Sequence, residues 1–268
     1  MSSLTLTLIQ TALHWENKQA NLAMLEEKIT GIKERTEIVI LPEMFSTGFS
    51  MQPERWAEKM DGPTITWMRR MAQQQRIILT GSVIIEENGN YYNRLIWMLP
   101  TGDYGCYDKR HLFAYAGEHE HYTPGNKRLI ASVKGWKINL QICYDLRFPV
   151  WARQSPEGTR DTAPEYDLLI YVANWPEKRS LPWKTLLQAR AIENQCFVAG
   201  VNRVGADGNG FAHSGDSMLI DPLGNSIFHK QHDEAVATFT LQKENLEQVR
   251  ARFPFWKDGD TFILSHGE

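Results

Sequence analysis

The chain has 268 residues, 42% of them hydrophobic and 23% charged, the make-up of a soluble globular protein able to bury a large core. A formal charge of -3 supplies no basic field, which argues against nucleic acid and anionic membrane surfaces as partners and favours a small uncharged-to-anionic metabolite. No segment approaches the roughly 18 apolar residues of a membrane span, and MSSLTLTLIQTALHW lacks the basic start and apolar run of a signal peptide, so a cytoplasmic location is expected.

In chain order, TLTLIQ (5–10) predicts a strand, and a helix follows from about Asn17, whose side chain can cap it, with Leu22, Leu25, Ile29 and Ile32 on one face. EIVILP (37–42) is almost wholly apolar, as expected of a strand covered on both faces. Pro63 opens a second helix running through Trp67 and Met71. Residues 76–99 read as a hairpin that turns at Asn88-Gly89. A second hairpin is expected at Lys134-Gly135, leading into a strand that stops at Cys143, with a helix from Phe148. Further strands are predicted at 167–174 and 197–202 around a helix at 183–195, then strand, turn and strand over 215–228, and a last helix at 242–252. SPEGTRDTAPE (155–165) reads as a loop tip, and no linker-like run divides the chain, which predicts one α/β domain over 1–268 with mixed sheets.

Cys106, Cys143 and Cys196 form no CxxC pair, against both a disulfide framework and a thiolate zinc site. Taken singly, a cytosolic cysteine is most often a small buried hydrophobe, Glu43 a loop cap, and Lys109-Arg110 a solvated face. Yet Glu43, Lys109 and Cys143 each lie just past a strand-like run, and ligands of α/β sheets bind beyond the carboxyl ends of strands. A lysine beside a thiol favours the thiolate and a carboxylate can carry its proton, so the three together would make an acyl-transfer site without histidine.

LPEMFSTGF, YDKRHLF and ICYDLRFP, in that order, resemble the three motifs of the nitrilase (carbon-nitrogen hydrolase) superfamily, and YVANWP, ARAIENQ and NRVGADGNG resemble its following segments. The nearest branch is that of the bacterial omega-amidases. The resemblance implies a Glu43, Lys109 and Cys143 triad, with Glu118 as a supporting glutamate and Glu120 as its alternative. It also implies the Tyr144 N–H as an oxyanion donor, Arg147 as a carboxylate anchor, and Trp175 in the pocket wall. The implied fold is a four-layer α-β-β-α sandwich of two mixed sheets with outer helices, forming a homodimer or larger oligomer. The implied substrates are 2-oxoglutaramate and 2-oxosuccinamate, with no cofactor; N-carbamoyl amino acids, deaminated glutathione and nitriles are the alternatives. Asp145 has no assigned role.

A rival reading is metal-dependent hydrolysis, since His111, His119 and His121 with Glu118 make a plausible zinc set. No third ligand aimed at the same point is identifiable, and solvated or hydrogen-bonding histidines are the default. A non-catalytic redox-sensing or binding protein is the remaining class. Gly205, Gly208 and Gly210 fit neither GxGxxG nor a phosphate loop and predict a turn.

Overall fold

A computed structural model describes residues 2–154, 164–260, 262 and 264. Most of the predicted loop tip, residues 155–163, therefore lies outside the described residues. Two sheets carry the chain. The first has the order β13-β1-β2-β3-β4-β5, built from β1 (Ser3–Gln10), β2 (Ile38–Ile40), β3 (Ile78–Glu87), β4 (Asn90–Met98), β5 (Tyr104–Asp108) and, at its edge, β13 (Ala235–Gln242). The second has the order β10-β11-β9-β8-β7-β6, from β6 (Leu129–Val133), β7 (Trp136–Ile142), β8 (Leu168–Ala173), β9 (Phe197–Asn202), β10 (Val204–Ala206) and β11 (Ala212–Ile220), with β12 (Ser226–Gln231) on β11.

The period of two along each strand divides the core. In the first sheet Leu4, Leu6, Leu8, Ile38 and Ile40 point into the cluster shared with Ile138, Leu140, Ile142 and Ile170 of the second. Their neighbours Ile9, Val39 and Leu41 point the other way, onto Leu25, Ile29, Met68 and Met71 of the helices Lys18–Thr30 and Pro63–Gln75. The helix Ser180–Asn194 covers the outer face of the second sheet, packing on β9 and β11. The order of layers is α-β-β-α, as the family resemblance implies.

Local chemistry explains most elements. Asn17 accepts the N–H of Ala20 at 3.1 Å and caps the first helix, and Pro63 opens the second. Both hairpin turns have positive φ at their two central residues, Asn88 and Gly89, then Lys134 and Gly135, the condition for a tight turn matching strand twist. The helix expected from Phe148 is a single turn, Pro149–Ala152, preceded by a 3₁₀ turn, Cys143–Arg147. Pro149 lacks an N–H and disfavours helical backbone at Phe148, so the two turns do not merge.

Topology delivers the site. β1, β2 and β3 are parallel, and two antiparallel steps make β5 parallel to β3, so β2 and β5 both end at the same edge. The loop after β2 continues along β3: Leu41 N–H bonds Thr80 O at 2.8 Å, Met44 N–H the Ser82 hydroxyl at 2.8 Å, and Phe45 N–H Ser82 O at 3.2 Å. That close approach needs Gly81, where a Cβ would stand 2.7 Å from the Phe45 ring and 2.9 Å from Leu41 Cβ. Gly81→Ala should therefore destabilise the fold by about 1–3 kcal/mol and disturb the segment holding Glu43, checked by thermal unfolding; an unchanged midpoint would contradict this packing.

Candidate active site

Glu43, Lys109 and Glu118 meet in the interior with essentially no exposed surface. The Lys109 Nζ donates to Glu43 Oε1 at 2.9 Å and to the two oxygens of Glu118 at 3.0 and 2.9 Å. Its backbone is fixed too: the Lys109 N–H bonds Asn93 O at 3.0 Å, and Lys109 O accepts the N–H of Gly125 at 2.9 Å. Glu43 accepts the Asn174 N–H at 2.8 Å through its other oxygen, and Glu118 accepts the Phe113 N–H at 2.5 Å. The Asn93 amide spans both carboxylates, at 2.8 Å from Glu43 and 3.3 Å from Glu118. Glu120, the alternative to Glu118, is exposed.

Cys143 follows β7 directly and begins the 3₁₀ turn with φ 43°, a left-handed backbone that strains a non-glycine residue by about 1–3 kcal/mol. Cys143 lines the same cleft as Lys109, and its thiol lies within the electrostatic reach of Glu43, Lys109 and Glu118. Asp145 stabilises this turn. It accepts the Tyr107 hydroxyl at 2.7 Å, the Ile142 N–H at 3.0 Å, the His111 N–H at 2.9 Å and the His111 ring Nδ1 at 2.8 Å. The residue left without a role by the sequence thus ties the Cys143 turn to the strand and loop that carry Lys109.

The electrostatics follow from three charges in a dry interior. Burial opposes the charge of Lys109, but Glu118 and then Glu43 outweigh it and hold its pKa above the ordinary lysine range. Burial, against the pull of Lys109 and with the added repulsion of Glu43, raises Glu118. Burial and then the negative charge of Glu43 keep the Cys143 thiol well above the usual thiol range, with Lys109 opposing. The resting sulfur is a neutral thiol beside a carboxylate base.

Cys143 and Lys109 open onto a cleft of about 410 Å³ whose wall includes Tyr144, Arg147, Trp175, Phe113 and Arg179. The Arg147 guanidinium lies 5.0 Å from the centre of the Trp175 ring, and that of Arg179 lies 5.2 Å from the centre of Phe113. Neither has an ion-pair partner among the described residues. Arg147 and Trp175 both line this cleft. The sequence reading missed Asn93, the Asn174 amide and Arg179; Asn93 stands next to Arg94 in a strand that begins polar and ends apolar, and Arg179 in WPEKRS reads as a solvated charge.

The proposed zinc residues do not converge. Glu118 is committed to Lys109, His111 stacks on Phe148 at 3.9 Å and bonds Asp145, and His119 is exposed. Among the described residues no three His, Cys, Asp or Glu side chains are grouped to hold a metal ion.

Residues 5–251 match the carbon-nitrogen hydrolase family. The chain is a carbon-nitrogen hydrolase. Omega-amidase YafV of Escherichia coli (strain K12) is 43% identical over 265 residues, covering 98% of this chain and 100% of that protein. The 2-oxoglutaramate amidase of Bacillus subtilis (strain 168) is 30% identical over 258 residues, 95% of this chain and 96% of its own. Among solved structures, XC1258 of Xanthomonas campestris, a CN-hydrolase superfamily protein with an arsenic adduct in its active site, superposes with a TM-score of 0.96 at 44% identity, covering 99% of this chain and all of that one. Saccharomyces cerevisiae Nit3, of the nitrilase superfamily, gives 0.83 at 25% identity over 94% of this chain and 95% of its own. These likenesses span the two sheets, so the sandwich is that of the family; no helix among the described residues is long and apolar enough to cross a membrane.

A neutral, buried thiol has a measurable consequence. The rate of iodoacetamide alkylation of Cys143, read by mass spectrometry, should still be climbing with pH beyond the ordinary thiol pKa of about 8.5, without levelling off there. A rate already level by about pH 7 would mean a resting thiolate and contradict this electrostatic account.

Proposed function

We propose that this carbon-nitrogen hydrolase is an omega-amidase that hydrolyses the terminal amide of 2-oxo dicarboxylic acid monoamides, 2-oxoglutaramate and 2-oxosuccinamate, to the 2-oxo acid and ammonia. The observation that carries the reading is one cleft lined both by Cys143 and by Arg147, whose guanidinium has no ion-pair partner among the described residues. A nucleophile at one point and a cation at another suit a substrate with an amide at one end and a carboxylate at the other. The names of the Escherichia coli and Bacillus subtilis relatives support the same chemistry.

In the first half-reaction Glu43 takes the proton of Cys143 as the sulfur forms a bond to the amide carbon. The carbonyl oxygen becomes an oxyanion beside the Lys109 ammonium and the Tyr144 N–H, which stands at the start of the 3₁₀ turn where a helical turn leaves its N–H groups without internal partners. A well-placed donor of this kind contributes about 3 kcal/mol in other enzymes. Collapse breaks the carbon-nitrogen bond, Glu43 returns the proton to the departing nitrogen, and a thioester remains on Cys143. Water then gives a proton to Glu43 and its oxygen to the acyl carbon, releasing the acid and restoring the thiol. Glu118 keeps Lys109 charged and in place. Arg147, braced on Trp175, anchors the distal carboxylate. The reading also carries a cytoplasmic enzyme assembled as a homo-oligomer, a dimer at least, as the family resemblance implies.

Ammonia release tests it against asparagine, glutamine, N-carbamoyl amino acids and simple nitriles. The 2-oxo monoamides should be the preferred substrates, and Cys143→Ala should abolish turnover while leaving the circular dichroism spectrum intact. Arg147→Ala should raise KM for 2-oxoglutaramate by about tenfold or more, the loss of one charge-assisted pair. Preference for another amide class, or an unchanged KM, would contradict the substrate assignment.

A further inference from the structure

Arg179 has the attributes of a built recognition residue. It closes the short turn Glu177–Arg179 and precedes the helix Ser180–Asn194. Its backbone is held on every side: its N–H bonds Pro176 O at 2.9 Å and its carbonyl accepts the Trp175 indole N–H at 2.6 Å. The next residue, Ser180, donates its hydroxyl to the buried Asp216 at 2.7 Å. The guanidinium itself, half-buried over Phe113, has no carboxylate partner among the described residues. A rigid stem with an uncommitted cationic head contributes little to the fold through its charge and has little freedom left to lose on binding a ligand.

The other charges of the cleft do not answer it. Glu16 accepts the Ser50 hydroxyl at 2.6 Å, and Asp207 accepts the N–H groups of Asn209 and Phe211 at 2.9 Å each, so both carboxylates are engaged by their own loops. Arg147 and Arg179 are linked by Trp175, whose ring face supports one guanidinium while its ring N–H fixes the backbone of the other. Two cations on one wall exceed what a single carboxylate needs. A 2-oxo acid offers three adjacent acceptor oxygens, two on the carboxylate and one on the ketone, which two guanidinium forks can share.

We propose that Arg179 is the second arm of a two-arginine clamp and the residue that selects 2-oxo over 2-amino substrates. The proposal rests on the amidase reading above and deepens it. Where a 2-oxo oxygen accepts a hydrogen bond, a 2-ammonium group would face a like charge with no acceptor, so glutamine and asparagine are rejected by repulsion as well as by lost bonding.

The test compares wild type, Arg179→Ala and Arg179→Lys on 2-oxoglutaramate, glutaramate, which lacks the ketone, and glutamine. Arg179→Ala should raise KM for 2-oxoglutaramate about tenfold with a much smaller change in kcat, and narrow its kcat/KM advantage over glutamine by at least about tenfold. The penalty should be clearly smaller for glutaramate, and Arg179→Lys should recover part of the KM but not the full selectivity, since it keeps the charge without the fork. Should Arg179→Ala fail to fold by circular dichroism, the lysine variant and Arg179→Gln give the same comparison. Unchanged KM and unchanged selectivity in the variants, with an active wild type, would overturn the clamp. A wild type that releases ammonia from other amides but none from 2-oxoglutaramate would instead overturn the amidase reading on which it rests.

Discussion

A lysine ammonium with no exposed surface is the constraint around which this protein is arranged. Removing such a charge from water costs several kcal/mol, and only close, well-directed partners repay it. Here Glu43 and Glu118 do so from two separate segments, one following β2 and one in the loop after β5, with Asn93 of β4 bridging them. Any slip in strand order would leave a buried ion unpaired, so sheet topology and site chemistry stabilise each other. Burial is the first reason the nearby thiol stays protonated, and the negative charge of Glu43 adds to it against the pull of Lys109. That makes the carboxylate, not a resting thiolate, the feature that readies Cys143 for attack.

Strain is concentrated at the same place. Cys143 and Met44, the residue after Glu43, both have left-handed backbones, at φ 43° and 42°. Such conformations persist only where surrounding bonds over-determine them. For Cys143 the restraint is Asp145, which gathers bonds from Tyr107, His111 and Ile142; for Met44 it is the Ser82 hydroxyl and the packing of Phe45 over Gly81. The proposed nucleophile and base are thereby placed before substrate arrives, which would lower the cost of reaching the transition state.

Much of this was legible in the sequence, for identifiable reasons. Strands and hairpins announced themselves through alternation and through Asn88-Gly89 and Lys134-Gly135, because these turns demand residues tolerant of positive φ. The proposed triad could be read because three motifs in a fixed order carry its residues, although no single motif shows that the strand ends meet. Glu118 and Glu120 could not be separated until burial distinguished them. The helix after Cys143 was overestimated because a 3₁₀ turn and a one-turn helix share the helical pattern of apolar residues. Edge strand β13 lay unread in AVATFTLQ, and Asp145, Asn93 and Arg179 gave no signal of their roles, since each depends on partners far away in sequence.

The central claim is that Cys143 carries the acyl group between two half-reactions governed by Glu43. It is tested most directly by quenching the protein in acid during turnover of 2-oxoglutaramate and mapping the adduct by mass spectrometry. The account predicts a hydroxylamine-sensitive acyl group on the peptide containing Cys143. An acyl group carried by a different side chain would contradict it.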